Sequence, residues 1–411
     1  MQKVLTALLF LASPLAAEDL TTKLTFNSLQ IQEEQEYWES FSYSSHDRVQ
    51  SFNNISARAF EESHRLFKMD QRSPLARGFY LLTAGQIHAR VVWANSLMAH
   101  EHAHFQYGHL RGLDTHYFRD DETGERFDDG EAWTRIFLYG DAGGPAISAG
   151  TSHDDGPLWV EKAAAGLNWQ TEHSARLARE WARQDSVKMS ESIAYMANKV
   201  YPFSYTAGEA AGIHKNDPNT DPGRIFEHLE LTQGVENVET KAVATLFASL
   251  LLSPTVAIAS NATTAYVKNG DLSVKPKRRN FKYGTMVLDT PAYFNADNIS
   301  LMPTVHTQFN DGVWGEIDNV QFSFGIEQGV VGQPTTEVYV GGYGEWKNLD
   351  VDLGYTIGQH GSLMEIEMGT KIGRDLKLSY GLAQTNGHTM RGARNLAGTE
   401  KLSWMNLTAE F

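Results

Sequence analysis

The sequence predicts an α+β chain of more than one domain, a mostly helical part followed by an antiparallel β-barrel of about eight strands. Three observations carry this. The chain has 411 residues, beyond the ~100–200 of an ordinary domain. Apolar residues recur with a helical period from about Thr22 to Val267, and with a period of two from about Phe281 onward. Between these stretches stands Lys275-Pro276-Lys277-Arg278-Arg279, a basic, proline-containing break. Boundaries are therefore expected at 1–17, 18–275 and 276–411.

Residues 1–17 read as a secretory signal peptide. Lys3 supplies the positive start, Val4 to Ala12 a short apolar run, and Pro14-Leu15-Ala16-Ala17 a small-residue cleavage site. Export is the expectation, and the apolar run is too short to span a bilayer. Helices are expected at Asn53–Lys68, Gln86–Tyr107, Pro157–Gln184 and Ser190–Tyr201, with loops around Asp120–Gly124, Asp141–Pro145 and Asn216–Gly223. The stretch Ala242–Val267 contains no charge. Pro254 and the hydroxyl side chains within it favour a buried helix or helical hairpin, with a membrane-inserted segment as the alternative.

Strands follow from strict alternation. Val320, Phe322, Phe324 and Ile326 alternate with polar or small neighbours, as do Leu349 to Tyr355, Met364 to Met368, Leu376 to Leu382, and Lys401 to Phe411. Alternation alone does not say which face is buried. A soluble barrel buries the apolar face and a membrane barrel exposes it to lipid. The last strand sets Met405, Leu407, Ala409 and Phe411 on one side, ending on an aromatic. In this it resembles the C-terminal strand of bacterial outer-membrane barrel proteins. That resemblance, with the export signal, implies an outer-membrane location and a lipid-facing surface.

Composition removes several function classes. With 35 Lys+Arg against 50 Asp+Glu the net charge is −15, so the chain lacks the basic footprint of a nucleic-acid binder. It has no cysteine, which excludes disulfide frameworks, cysteine-ligated metals and thiol nucleophiles. No serine-hydrolase, P-loop or dinucleotide motif stands in a strand-to-helix setting. The 15 histidines are left as the soft ligands.

Three of them form His100-Glu101-His102-Ala103-His104, which fits H-E-x-x-H. On a helix, His100 and His104 lie on one face and can hold one cation, with Glu101 within reach of a water on it. The motif resembles that of zincin metallopeptidases. The resemblance implies Zn²⁺, with His100 and His104 as ligands and Glu101 as general base; His102 lies off the shared face. In metzincins a third His follows at a fixed distance, whereas here His109 comes one position too early. Gluzincins take a Glu from a following helix, and Glu172 is the candidate offered on that principle, with Glu161, Asn168, His173, Asp155 and His109 as alternatives. Tyr107, His109 or a downstream His or Tyr would steady the oxyanion. The function expected is a zinc metallopeptidase of the bacterial envelope acting on a peptide or protein substrate. The alternatives are a metal-binding periplasmic domain without catalysis, carried on a barrel scaffold, and a membrane-embedded metallohydrolase anchored by residues 242–267.

Overall fold

A computed structural model describes residues 23–32, 35–37, 42–110, 129–139, 156–213, 220–372, 376–387, 389–391 and 401–410. The signal segment, the loops at 120–124 and 141–145, Asp155 and Phe411 lie outside the described residues. After strands β1 (Lys23–Gln32) and β2 (Gln35–Tyr37) come helices α1 (Ser42–Leu66), α2 (Pro74–Leu110), α3 (Asp129–Tyr139) and α4 (Gly156–Arg183). The short β3 (Val187–Lys188) leads into α5 (Met189–Ala210), α6 (Asp221–Gln233), α7 (Val238–Leu251) and α8 (Pro254–Asn269). The rest is strand: β4 (Ser273–Val274), β5 (Arg279–Phe281), β6 (Gly284–Asp289), β7 (Ala292–Phe294), β8 (Asn298–Leu301) and β9 (Thr304–Phe309). Six longer strands complete it: β10 (Asp318–Gly332), β11 (Thr336–Trp346), β12 (Leu349–Gly358), β13 (Gly361–Lys371), β14 (Leu376–Gly387) and β15 (Lys401–Glu410).

The helices bury their apolar stripes against one another. Val92 of α2 meets Leu177, Ala178 and Trp181 of α4, Tyr195 of α5, Ile258 and Ala262 of α8, and Val287 of β6. A second cluster joins Val160 and Leu167 of α4, Ile225 and Leu229 of α6, and Leu246 of α7 to Phe294, Ile299 and Val331 of the sheet. Each fully buried aliphatic or aromatic side chain contributes about 1.5–3 kcal/mol, so these shared clusters fasten helices to strands. The uncharged Ala242–Val267 stretch becomes α7 and α8, broken before Pro254 and bent by 61°. Their inner faces, including Ala242, Leu246, Ile258, Ala259 and Tyr266, are buried. Among the described residues no single helix is long and apolar enough to cross a membrane, while this bent pair passes that test by length and composition.

The sheet corrects the barrel expectation in strand number and closure. Thirteen strands pair, along the path β2-β1-β15-β14-β13-β12-β11-β10-β9-β6-β5 with β8 and β7 branching from β10. The path is open, and among the described residues no ladder joins β2 to β5. A physical reason is visible in the lengths: β10 has 15 residues but β9 and β6 have 6 each, and β5 has 3. Such short end strands offer little edge to pair, which is how many open sheets blunt their edges. The expected boundary near residue 275 is also crossed, because β1 pairs with β15 in the register Lys23↔Glu410 to Ile31↔Ser403.

The burial pattern resolves the ambiguity of alternation. Phe324, Ile326, Val340, Tyr355, Ile357, Met364, Met368 and Tyr380 are exposed, whereas Ser323, Glu327, Glu337, Thr356, Glu365 and Ser379 are buried. The polar face turns inward, toward α4. Gln321 donates to the Arg179 carbonyl (2.8 Å) and Arg179 pairs with Asp352. Arg183 lies 4.4 Å from the Tyr343 ring centre, and the Tyr293 hydroxyl donates to Glu172 (2.7 Å).

Candidate metal centre

The site begins with α2. Its middle carries Val92, Ala94, Leu97, Met98 and Ala99, all buried, so the helix is held on several sides rather than along one stripe. Asn95 cross-links it: its amide donates to Asn53 of α1 (2.9 Å), and its oxygen accepts from the Trp133 indole of α3 (2.8 Å). One turn further on, His100 and His104 project together, with ring centres 4.7 Å apart. Both are buried.

Facing them is Asp221, in the first turn of α6. Thr220 caps that helix, its hydroxyl accepting from the Gly223 amide (3.2 Å), with Pro222 just inside. A helix N-terminus favours a negative side chain, so the local sequence both starts the helix and aims the carboxylate. Asp221 Oδ2 lies 2.9 Å from His100 Nε2 and 3.2 Å from His104 Nε2. One ligand atom from each of the three residues falls within 4.8 Å of the others.

The outer nitrogens decide what the inner ones can do. His104 Nδ1 donates to the Lys162 carbonyl (2.7 Å), and His100 Nδ1 to the Gln170 side-chain oxygen (3.2 Å), both on α4. With a proton on each Nδ1, a neutral imidazole turns its Nε2 lone pair toward the carboxylate oxygen. Three electron-rich atoms at this range are stable only with protons or a cation among them. A tetrahedral ion with ~2.0–2.2 Å bonds holds its donors ~3.3–3.6 Å apart; the Asp221–His104 separation is near this and the Asp221–His100 separation somewhat shorter. The group can therefore bind a metal ion. When protons on the two Nε2 atoms fill that space instead of a cation, burial still pushes the Asp221 pKa up, but the charge on His104 and the hydrogen bonds both imidazoles then donate hold it below the usual carboxylate range.

Gly166 is what lets α4 come this close. A Cβ there would stand 2.6 Å from the His100 ring. From α5, Tyr201 packs edge-on to His100 (5.8 Å between ring centres) and Tyr205 lies 5.6 Å from Tyr201. Burial first, then the nearby Asp221 and Glu101 carboxylates, push both phenol pKa values up. Lys162, whose carbonyl orients His104, has its ammonium pushed down to about 8 by burial and by Arg224.

The expected residues separate here. His100 and His104 come together, and Glu101 follows His100 on the same helix, partly buried. Glu172 does not join them. It sits at the helix–sheet interface with Tyr293 (2.7 Å), Arg176 (3.7 Å) and Arg391 (3.9 Å), and Asp221 is the third member of the group with His100 and His104. Of the alternatives, Glu161 accepts from the Tyr107 hydroxyl and Asn168 clasps the Phe294 backbone. His173 stacks on Trp169 beside His46, and His109 belongs to the last turn of α2. The sequence offered Asp221 only through Thr220-Asp221-Pro222-Gly223, a helix-start pattern inside a stretch read as a loop.

No protein-family model, curated protein or solved structure matches the chain.

Proposed function

We propose that the chain is an exported zinc metallopeptidase that holds its metal with His100, His104 and Asp221 and uses Glu101 as general base. The observation that supports this most is the convergence of three lone-pair donors, with a carboxylate on the very next residue of the ligand helix. Two imidazoles and one carboxylate leave a fourth position open, which suits a catalytic rather than a structural zinc. Zinc held by His100, His104 and Asp221 would supply Lewis acidity for attack on a peptide carbonyl. Glu101 takes the proton of the attacking water and returns it to the departing amine. The phenols of Tyr201 and Tyr205, kept protonated, remain donors for the oxyanion that develops on the carbonyl.

Glu101→Gln tests this directly. The variant should keep the parent's zinc content and fold while turnover of a peptide library falls about 10²–10⁴-fold. Parental turnover would remove Glu101 from the reaction. A parent protein that binds zinc stoichiometrically and hydrolyses nothing would favour the metal-binding reading without catalysis.

A further inference from the structure

We infer that the outer face of the long-stranded sheet lies against the acyl chains of a lipid bilayer, with a Trp/Tyr/Lys rim at one interface and the metal centre toward the other. The burial pattern is the first support. In a water-soluble sheet the apolar residues of alternating strands are the covered ones. Here Phe324, Ile326, Val340, Tyr355, Ile357 and Met364 are exposed, whereas Ser323, Glu327, Thr356 and Glu365 on the other face are buried, and on that face Gln321 and Asp352 meet Arg179 of α4. A continuous apolar surface over six strands is far more than a soluble monomer ordinarily leaves open.

Length is the second support. Strands β10 to β15 have 15, 11, 10, 11, 12 and 10 residues, against the ~9–11 that a tilted spanning strand requires. The shorter β6 carries Val287 into the helical core, so where the sheet is too short to span, protein covers it.

The third support is how the rim residues are distributed. The β5–β6, β9–β10 and β11–β12 turns all fall at one end of the sheet, as the antiparallel registers require. At that end Tyr283, Trp314 and Trp346 are 49%, 45% and 46% exposed. Lys282 lies 4.9 Å from the Tyr283 ring centre and Lys347 4.6 Å from that of Trp346. Exposed indoles and phenols beside lysines fit the headgroup layer, where a ring is half in hydrocarbon and an ammonium meets phosphate. Along α4, Arg183 meets Tyr343 toward this end, while Gly166 abuts His100 roughly 25 Å away at 1.5 Å per residue. The metal centre therefore belongs to the opposite side.

This inference does not depend on the chemistry at the metal. The absence of native cysteine permits single-site labelling of the full chain. Tyr355→Cys, Met364→Cys and Trp346→Cys, with Glu230→Cys on α6 as the aqueous control, would carry an environment-sensitive fluorophore. The labelled protein would be reconstituted into phosphatidylcholine/phosphatidylglycerol vesicles brominated either mid-chain or near the headgroup. Labels at 355 and 364 should lose most of their emission to mid-chain bromine and the label at 346 to headgroup-proximal bromine, with none lost at 230. Unquenched labels at 355 and 364 in protein whose circular dichroism matches the parent overturn the proposal. So does a lipid-free oligomer in which those two positions resist labelling, since a second copy of the chain would then cover the face. Zinc content, read on the same samples, is expected to be unchanged in every variant.

Discussion

A metal ligand is only as well placed as whatever holds its far side. His104 is fixed by the Lys162 carbonyl, His100 by Gln170 and by the bare backbone of Gly166. Gly166→Ala should therefore push the His100 ring away and weaken zinc binding about 10–100-fold, as for other lost supports of a ligand; competition with a chromophoric chelator reads this out. By the same measurement Asp221→Ala should cost more than that, and Glu172→Gln should leave affinity at the parental value. Parental affinity in Asp221→Ala would remove that carboxylate from the metal. The pairing of His100 with His104 was legible in the sequence because helical geometry relates neighbours one turn apart. Asp221 was not, because its distance from them is set by the packing of α6 against α4, through Ile225 and Leu229 on Val160 and Leu167. Glu172 has a helical context and Asn168 one turn before it, but both side chains are turned to the sheet, Asn168 to the Phe294 backbone and Glu172 to Tyr293.

Whole elements show the same division. Helices at α1, α2, α4 and α5 were legible from their period, although α1 starts earlier, and α2 and α5 run longer at both ends, than the pattern suggested. Thr220 marked the start of α6, but prolines at 218 and 222 disguised it as a loop. Thr220→Ala removes the cap and should lower stability by about 1 kcal/mol in urea unfolding, and it should also weaken zinc binding because Asp221 occupies the loosened turn. In α2, His88 is buried between Ser56 of α1 and the Ser190 carbonyl of α5 (2.8 and 3.3 Å), and burial pushes its pKa down to about 4. An unfolded His titrates near 6.5, so between pH 6.5 and 4 the unfolded chain binds the extra proton. Stability is therefore full above pH 6.5 and is lost as pH falls toward 4, by roughly 3 kcal/mol at most from this group. His88→Gln should flatten that part of the pH–stability curve, followed by circular dichroism; an unchanged slope would assign the acid loss to other groups.

Over the whole molecule, strand existence was legible and strand closure was not. A period of two states which residues share a face, but neither the face that is buried nor the partner at each edge. Both depend on α4, whose arginines and Glu172 meet the polar side of the sheet. Helices and sheet are pinned again at Lys199 of α5, which pairs with Asp289 of β6 (3.3 Å) in full burial; Asp289 also accepts from Tyr195 and Thr255. Lys199→Met leaves that carboxylate without its cation and should cost about 3–5 kcal/mol, measured as a drop in the urea midpoint with the metal still bound. A change of less than 1 kcal/mol would mean the pin is not needed.

The ladder between β1 and β15, with Lys23 opposite Glu410, has a consequence for how the chain is made. During synthesis β1 emerges among the first described residues, and its partner is almost the last. Among the described residues the other strand laddered to β1 is the three-residue β2, so β1 lacks most of its pairing until β15 has been made. Nonsense or frameshift changes that remove only β15 would leave both β1 and β14 as open edges, and the expected product is an aggregate rather than a slightly shortened protein.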